Sequence, residues 1–376
     1  MKKKVYIITL ILWSISSLYT LTSCTNKKEQ TTTVDHPLFF DASQVDTLLS
    51  ETIEKIDFIA LEATDNSDVF GVSKMVIKND LIFMGDYHSG RIVVYDMNGK
   101  VKYVLDEKGN GPQEYLELKS FAVDERNIYT LDNSRHTVNS YDCLTGKFKQ
   151  SQKLPFIAWD MEVLDDEHFI FAFIPLEGGK PNLSQPPYKI LITDRDFEIT
   201  DKHLKYEQDE YEFMGNANGT YFTQTKDGVV FSSMASDSFM IFYDGDSLKQ
   251  KTIDFAEKIP DEFRKDRKKI LENEYNFMLQ TPILCKNYMA FEISVGDNIF
   301  SYIYDENAGC FHGNAEVSSH NYLFEPITSY KNQLVSYLDN YSLYEEVVET
   351  GFAKASPEIE RHLQNEGAIL IFYTMR

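Results

Sequence analysis

LIFMGDYHSGRIVVYDMNGKV at residues 81–101 and NIYTLDNSRHTVNSYDCLTGKF at residues 127–148 say nearly the same thing twice. Ile82 aligns with Ile128, Phe83 with Tyr129, Asp86 with Asp132, and Tyr95–Asp96 with Tyr141–Asp142, at a spacing of 46 residues. One extra residue then enters the turn, so that Gly99 and Lys100 match Gly146 and Lys147. Each copy is an apolar run, a short polar loop, a second run ending in Tyr-Asp, and a glycine turn into a third run. That order describes a β-meander. A meander repeated every 40 to 50 residues is the mark of a propeller blade.

Outward from this stretch the Tyr-Asp landmark recurs, weakly at Thr193–Asp194 and clearly at Tyr243–Asp244 and Tyr304–Asp305. A last apolar run, residues 368–373, stands where a sixth such strand belongs. The fold class expected is therefore all-β, a six-bladed β-propeller. The blades fall at residues 73–106, 121–154, 159–206, 220–255 and 282–317, with a sixth built from residues 327–330, 334–338 and 368–373. That sixth blade lacks an outer strand, and residues 56–61 (IDFIAL) form a spare strand before the first blade. An N-terminal strand that closes the last blade uses both and hides an open sheet edge. The aromatic content, 23 Tyr and 26 Phe, suits sheets, where large flat side chains fill the pleated face.

Two stretches depart from the strand pattern. Residues 260–280 (PDEFRKDRKKILENEYNFMLQ) place Phe263, Ile270, Leu271 and Met278 at helical spacing after Pro260 and two acids. Residues 343–363 form a second helical insertion, restarting at Ser356 as a cap with Pro357 in the first turn. A third insertion, residues 175–187 (PLEGGKPNLSQPP), is rich in Pro and Gly and reads as a loop. In blade order all three fall in the connections that share one face of the disc. That decorated face is the expected recognition surface, since loops on a rigid scaffold carry function.

The first 40 residues read differently. Lys2, Lys3 and Lys4 precede an apolar run too short and too interrupted by Ser and Thr to cross a membrane well, which fits a secretory signal. It ends in Leu21-Thr22-Ser23-Cys24, which resembles the lipobox of bacterial lipoproteins, so that residues 1–23 are expected to be removed and Cys24 to carry lipid. Residues 24–40 are expected to be a flexible tether, with the propeller occupying residues 41–376. The formal charge of −22 becomes −25 once residues 1–23 and their three lysines are gone. Such a chain repels nucleic acid and anionic headgroups, so its expected link to a membrane is the lipid alone. The odd set Cys143, Cys285 and Cys310 has no compact spacing and is expected to be three structural thiols.

The run KGNGPQEY, residues 108–115, resembles the G-x-G-P-G-E-Y/F signature of the six-bladed β-propeller lipoproteins of Bacteroidetes. Residues 58–75 (FIALEATDNSDVFGVSKM) are similar to that family's opening segment, and AILIFYTMR at residues 368–376 to its closing strand. The sequence departs from the pattern at Gln113, where the family has Gly. The resemblance implies the fold and an outer-membrane location, on the periplasmic or cell-surface side. More distantly the blades resemble NHL-type propellers, a group that holds both binding modules and lyases.

No local catalytic motif is present: no G-x-S-x-G, no H-E-x-x-H and no EF-hand loop. Gly109-Asn110-Gly111 is followed by Pro112 rather than a helix, so it reads as a turn between blades and not a phosphate loop. His88 and His136 lie in equivalent loops, beside Arg91 and Arg135. With Tyr87 and Trp159 these six make a candidate ligand-binding patch of aromatic faces for sugar rings and guanidinium groups for carboxylates. No catalytic residue, metal site or cofactor is expected. The expected partner is a carbohydrate, a peptide or an envelope protein. The alternative is a lyase or metal-dependent hydrolase working at the propeller axis, which would require His and carboxylates from three or more blades to converge there.

Overall fold

Strands pair in sets of four because each repeat is a local antiparallel meander. In a computed structural model of the chain, the described residues are 33–34, 36–45, 49–67, 69–173, 176–177, 180–181, 188–205, 219–226, 228–243, 247–264, 266–313 and 322–376. Blade 1 holds Lys74–Lys78, Leu81–Asp86, Arg91–Asp96 and Val101–Leu105, from the axis outward. Blade 2 holds Ser120–Val123, Asn127–Asp132, Thr137–Asp142 and Phe148–Lys153. Blade 3 holds Asp160–Val163, Phe169–Ala172, Tyr188–Thr193 and Ile199–Lys205. Blade 4 holds Phe222–Thr225, Gly228–Phe231, Ser238–Tyr243 and Ser247–Phe255. In blade 5 the long strand Tyr288–Val295 pairs inward with both Ile283–Cys285 and Phe277–Met278, and outward with Asn298–Asp305 and Cys310–Gly313. The innermost strands touch in ring order, blade 1 through blade 6 and back to blade 1. The chain is a six-bladed propeller.

The sequence repeat is a repeat of register. Ile82 faces Tyr95 in blade 1, and Ile128 faces Tyr141 in blade 2. A β-bulge precedes the landmark aspartate in blades 1, 2 and 3, between Val94 and Tyr95, Ser140 and Tyr141, and Ile192 and Thr193. The aspartate then accepts two backbone amides of its own turn: Asn98 and Lys100 for Asp96, Leu144 and Thr145 for Asp142, Asp196 and Glu198 for Asp194, Asn307 and Ala308 for Asp305. The turn needs a left-handed residue, supplied by glycine in blades 1, 2 and 5 and by Phe197 at φ 64° in blade 3. Phe197 is buried against Phe169 at 5.4 Å, so packing holds a backbone that a phenylalanine otherwise avoids.

Ring closure follows the expected route. Ile53–Ala60 is the outer strand of blade 6, antiparallel to Ile369–Met375, which stands beside Gln333–Leu338 and Pro326–Tyr330. The chain then turns into blade 1 through Leu61 N to Ala368 O (2.9 Å) and Glu62 N to Gly99 O (2.8 Å). A Cβ on Gly99 would stand 2.0 Å from Ala60 O, so the tightest point of the closure admits glycine alone.

The tether ends earlier than residue 40. Leu38–Phe40 pairs in parallel with Ser247–Phe255, Leu38 opposite Ile253 and Phe40 opposite Phe255, so blade 4 gains strands beyond its own four. Phe40 is fully buried, its ring edge-on to Tyr302 at 4.9 Å, Phe311 at 5.1 Å and Phe255 at 5.7 Å. The N-terminal arm thus fastens blades 4 and 5 before it closes blade 6.

Among the described residues of the stretch 260–280, only the short turns Asp261–Phe263 and Arg267–Leu271 are helical, and Phe277–Met278 is drawn into blade 5 as a strand. The second helical insertion is Tyr341–Glu349 and Pro357–Gln364, capped by Asn340 and by Ser356 with Pro357 at its start. These helices bury Tyr344, Val347 and Leu363 over the interface of blades 5 and 6, with Phe58 against Tyr344 and Phe352. They act as core as much as surface. Of residues 175–187, the described part is a small ribbon, Leu176–Glu177 against Lys180–Pro181; the rest, like residues 1–32 and Cys24, lies outside the described residues. Among the described residues, Cys143, Cys285 and Cys310 form no disulfide.

Candidate functional site: the propeller axis

Each innermost strand delivers its first residues to one end of the axis, the end shared by the longer connections. There Lys74 of blade 1 lies wholly buried, its Nζ 3.2 Å from Asp160 Oδ1, 3.1 Å from Glu162 Oε1 and 2.9 Å from Met161 O. Burial would lower the lysine's pKa, but Asp160 and Glu162 outweigh it and hold the ammonium charged well above its ordinary range. Asp160 is the hub. Its Oδ1 also accepts from Ser120 Oγ (2.5 Å) of blade 2, and its Oδ2 accepts from the amides of Tyr221 (2.7 Å) and Phe222 (3.1 Å) at blade 4. One carboxylate therefore ties four blades together.

Glu162 is less well served. Its Oε1 faces Lys74 and its Oε2 has no hydrogen-bond partner, although the side chain is fully buried. Burial pushes its pKa up to about 7, against the pull of Lys74. It lines an axial cavity of about 260 Å³ together with Gln280 and Thr281 of blade 5 and Glu325 of blade 6. Gln280 Nε2 donates to Glu325 Oε1 at 2.8 Å, and Gln280 Oε1 is buried without a partner. Behind them sits Glu292, which accepts from Ser301 Oγ; burial and the neighbouring Glu325 push it up to about 8. Burial raises Glu325 as well. Among the described residues no three His, Cys, Asp or Glu side chains stand close enough together to hold a metal ion.

The six residues singled out from the sequence divide between several tasks. Tyr87 reaches the axis, its hydroxyl 3.5 Å from Ser120 Oγ and its pKa raised by burial. Trp159, the residue before Asp160, is 37% exposed, with Lys119 Nζ 4.2 Å above its ring. His88 packs edge-on to Phe70 at 5.9 Å. Arg91 pairs with Asp106 at 3.1 Å. Arg135 is committed to structure: its two terminal nitrogens donate to Gly111 O (2.8 Å) and Gly109 O (3.0 Å). His136 occupies a left-handed turn at φ 54°. The structure thus brings Tyr87 to the axial cluster and uses the arginines elsewhere.

The KGNGPQEY run is a clasp. Tyr115 is fully buried, its hydroxyl donating to Gly90 O at 2.6 Å, while Glu114 Oε2 accepts from Gly111 N at 2.6 Å. Gln113 is not left-handed, so the departure from glycine there costs no backbone strain. Lys74, Asp160, Glu162, Gln280 and Glu325 were not singled out from the sequence. The visible signal was slight: a lysine in the otherwise apolar SKMVI, and two acids alternating in DMEV.

Fold and axis together define a six-bladed propeller with a small, polar, acid-rich cavity at its centre. The chain belongs to the family described as Domain of unknown function (DUF4934), which matches residues 32–369. That match begins ahead of Leu38–Phe40, the strand of the N-terminal arm. Among solved structures, the chain is similar to a Bacteroides fragilis protein provisionally classed as exported. The two share 18% identity at a TM-score of 0.72, over 92% of this chain and 100% of that one. It is also similar to a DUF4221-family member from Bacteroides vulgatus, at 14% identity and a TM-score of 0.46, over 68% of this chain and 83% of that one. No functionally curated protein matches.

Proposed function

We propose that this protein is a binding module of the cell envelope, held to the outer membrane by lipid on Cys24, that takes its ligand at the loop-bearing mouth of the propeller axis. The observation that carries this reading is the axial cavity, where fully buried Glu162 and nearly buried Gln280 each keep an acceptor atom without a partner. A buried polar atom left unmade costs about 1–3 kcal/mol, and a ligand that satisfied it would recover that amount on binding. Tyr87 at the rim and the exposed Trp159 beside Asp160 offer aromatic surface for a sugar ring or a peptide side chain. The lipobox-like Leu-Thr-Ser-Cys and the exported character given to the Bacteroides fragilis relative support the location. The net charge of −22 argues against nucleic acid.

The test is a thermal-shift screen of the protein against oligosaccharides and peptides, repeated with Gln280→Ala and Glu325→Gln. A ligand that raises the melting temperature of the parent and loses its effect in both variants supports the axial site. A ligand indifferent to both places binding elsewhere. For the anchor, Cys24→Ala should leave an unprocessed chain that no longer partitions into detergent; processing and partitioning equal to the parent would refute it.

A second reading, catalysis at the axis, draws on Glu292 and Glu325, two neighbouring carboxyls beside the cavity whose pKa values are both raised. Turnover of a bound ligand abolished by Glu325→Gln, with binding retained, would favour it.

A further inference from the structure

The direction of the unmet hydrogen bonds at the axis narrows the ligand. Lys74 donates to Asp160 Oδ1 and Met161 O and is ion-paired with Glu162 Oε1 at 3.1 Å, so its ammonium is turned toward the protein's own acceptors. Three of the hydroxyls lining the same cavity are spent on backbone carbonyls. Thr223 Oγ1 donates to Pro282 O at 2.7 Å, Thr281 Oγ1 to Tyr221 O at 2.7 Å, and Ser329 Oγ to Leu284 O at 2.9 Å. Gln280 gives its Nε2 to Glu325. Two buried acceptor atoms on the cavity wall stay unmet, Glu162 Oε2 and Gln280 Oε1. Gln224, also on the wall, has its side chain beside Glu162.

The charge points the same way. Within the lining, one lysine stands against Glu162 and Glu325, and that lysine is already shared with Asp160. An anion entering here would meet the acidic side chains of Glu162 and Glu325. Met75, Ile77, Phe222, Ile283 and Ile327 give the cavity an apolar side. The volume, about 260 Å³, is on the order of twenty times the 10–15 Å³ that admits one water.

We propose that the axial cavity takes a primary alkylammonium group, its N–H donors on Glu162 and Gln280 and its methylene stem against the apolar wall. The group belongs either to a free small amine or to the lysine side chain of a peptide. This inference rests on the axial reading above and adds the class of ligand to it.

Titration calorimetry on the detergent-solubilised full chain tests it with n-butylammonium, N-acetyl-lysine amide, tetramethylammonium and butyrate. Butylammonium should bind. Tetramethylammonium, which has charge but no N–H, and butyrate, which has the stem but the opposite charge, should bind at least tenfold more weakly. Binding of N-acetyl-lysine amide at comparable affinity assigns the site to a lysine side chain, and its failure assigns it to free amines. Glu162→Gln and Gln280→Leu should each weaken butylammonium at least tenfold; the second variant keeps the test open should the first fold poorly. Equal binding of butyrate or tetramethylammonium, or no amine binding at all, overturns the proposal. In the latter case a neutral ligand from the screen that still needs Gln280 would leave the axial site standing without its ammonium assignment.

Discussion

At the scale of single residues, the axis is governed by one buried cation and the acids around it. Removing Lys74 would leave Asp160 and Glu162 buried with no counter-charge. Lys74→Met should therefore cost about 3–5 kcal/mol, the range for breaking a buried pair from one side. Denaturant unfolding would measure it, and a loss below 1 kcal/mol would show that the carboxylates find other partners. Proton linkage gives a second test. Glu162 and Glu292 are raised from 4.5 to about 7 and about 8, so between pH 4.5 and those values the folded chain holds protons the unfolded chain has released. Stability should therefore fall as pH rises from 5 to 8. The groups facing Glu162 are Lys74, Asp160 and, through space, Tyr87, and neither Lys74 nor Tyr87 titrates in that window, since both are raised above their ordinary values. Glu162→Gln should flatten the slope by on the order of 2–3 kcal/mol across the window. Parallel melting-temperature profiles for parent and variant would refute the assignment. On the acid side, burial works to raise Asp86, but the amides of Phe70, Ser89 and His88 outweigh it. That carboxylate contributes stability that disappears only as pH falls below the ordinary aspartate range.

At the scale of elements, what was legible in the sequence was what is local. The aspartate and the left-handed turn after it occupy a handful of consecutive residues, so their chemistry repeats visibly at Tyr95–Asp96, Tyr141–Asp142 and Tyr304–Asp305. Thr193–Asp194 was the weak instance because Thr193 replaces the tyrosine, and its turn carries Phe197 in place of glycine, held by burial rather than backbone freedom. Phe197→Gly would relieve the turn yet empty its place beside Phe169 and Phe171, and the loss of an aromatic core side chain, about 3–5 kcal/mol, should outweigh the relief of about 1–2 kcal/mol. A variant more stable than the parent would reverse that ranking. The helix expected over residues 260–280 failed for the opposite reason. Its helical spacing was real, but Phe277–Met278 found an open length of Tyr288–Val295 to pair with, and sheet pairing overrode the local pattern. The axial residues were illegible because Lys74 and Asp160 stand 86 residues apart and meet only once the ring exists. The arginines were visible, but not their occupation: nothing local says that Arg135 closes on the carbonyls of Gly109 and Gly111.

At the scale of the molecule, the core is a ring of six blade-to-blade interfaces, each with its own apolar cluster, and no single centre. Such a ring is as stable as its fastening, and the N-terminal arm fastens it twice. Ile53–Ala60 completes blade 6 and passes into blade 1, while Leu38–Phe40 lies on blade 4 with Phe40 set between blades 4 and 5. The second fastening could not be read from residues 24–40, because Leu38 meets its partner Ile253 far along the chain and LFF alone is too short to stand out from a polar tether. Three chains separate the two contributions. One beginning at residue 36 loses only the two-residue pairing of Thr33–Val34 with Lys249 and Gln250, keeps both fastening strands, and should melt close to the parent. One beginning at residue 41 loses Leu38 and Phe40, exposes the outer edge of Ser247–Phe255, and should lose at least the 3–5 kcal/mol of a buried phenylalanine. Phe40→Ala in the full chain should reproduce most of that loss, since the ring, more than the three-residue pairing, bridges two blades. One beginning at residue 62 loses the closing strand as well, leaves Ile369–Met375 as an open edge, and should aggregate rather than melt cooperatively. Equal melting temperatures for the chains beginning at 36 and 41 would mean that Phe40 seals nothing, and that blades 4 and 5 hold together through Phe239, Phe291 and their neighbours alone.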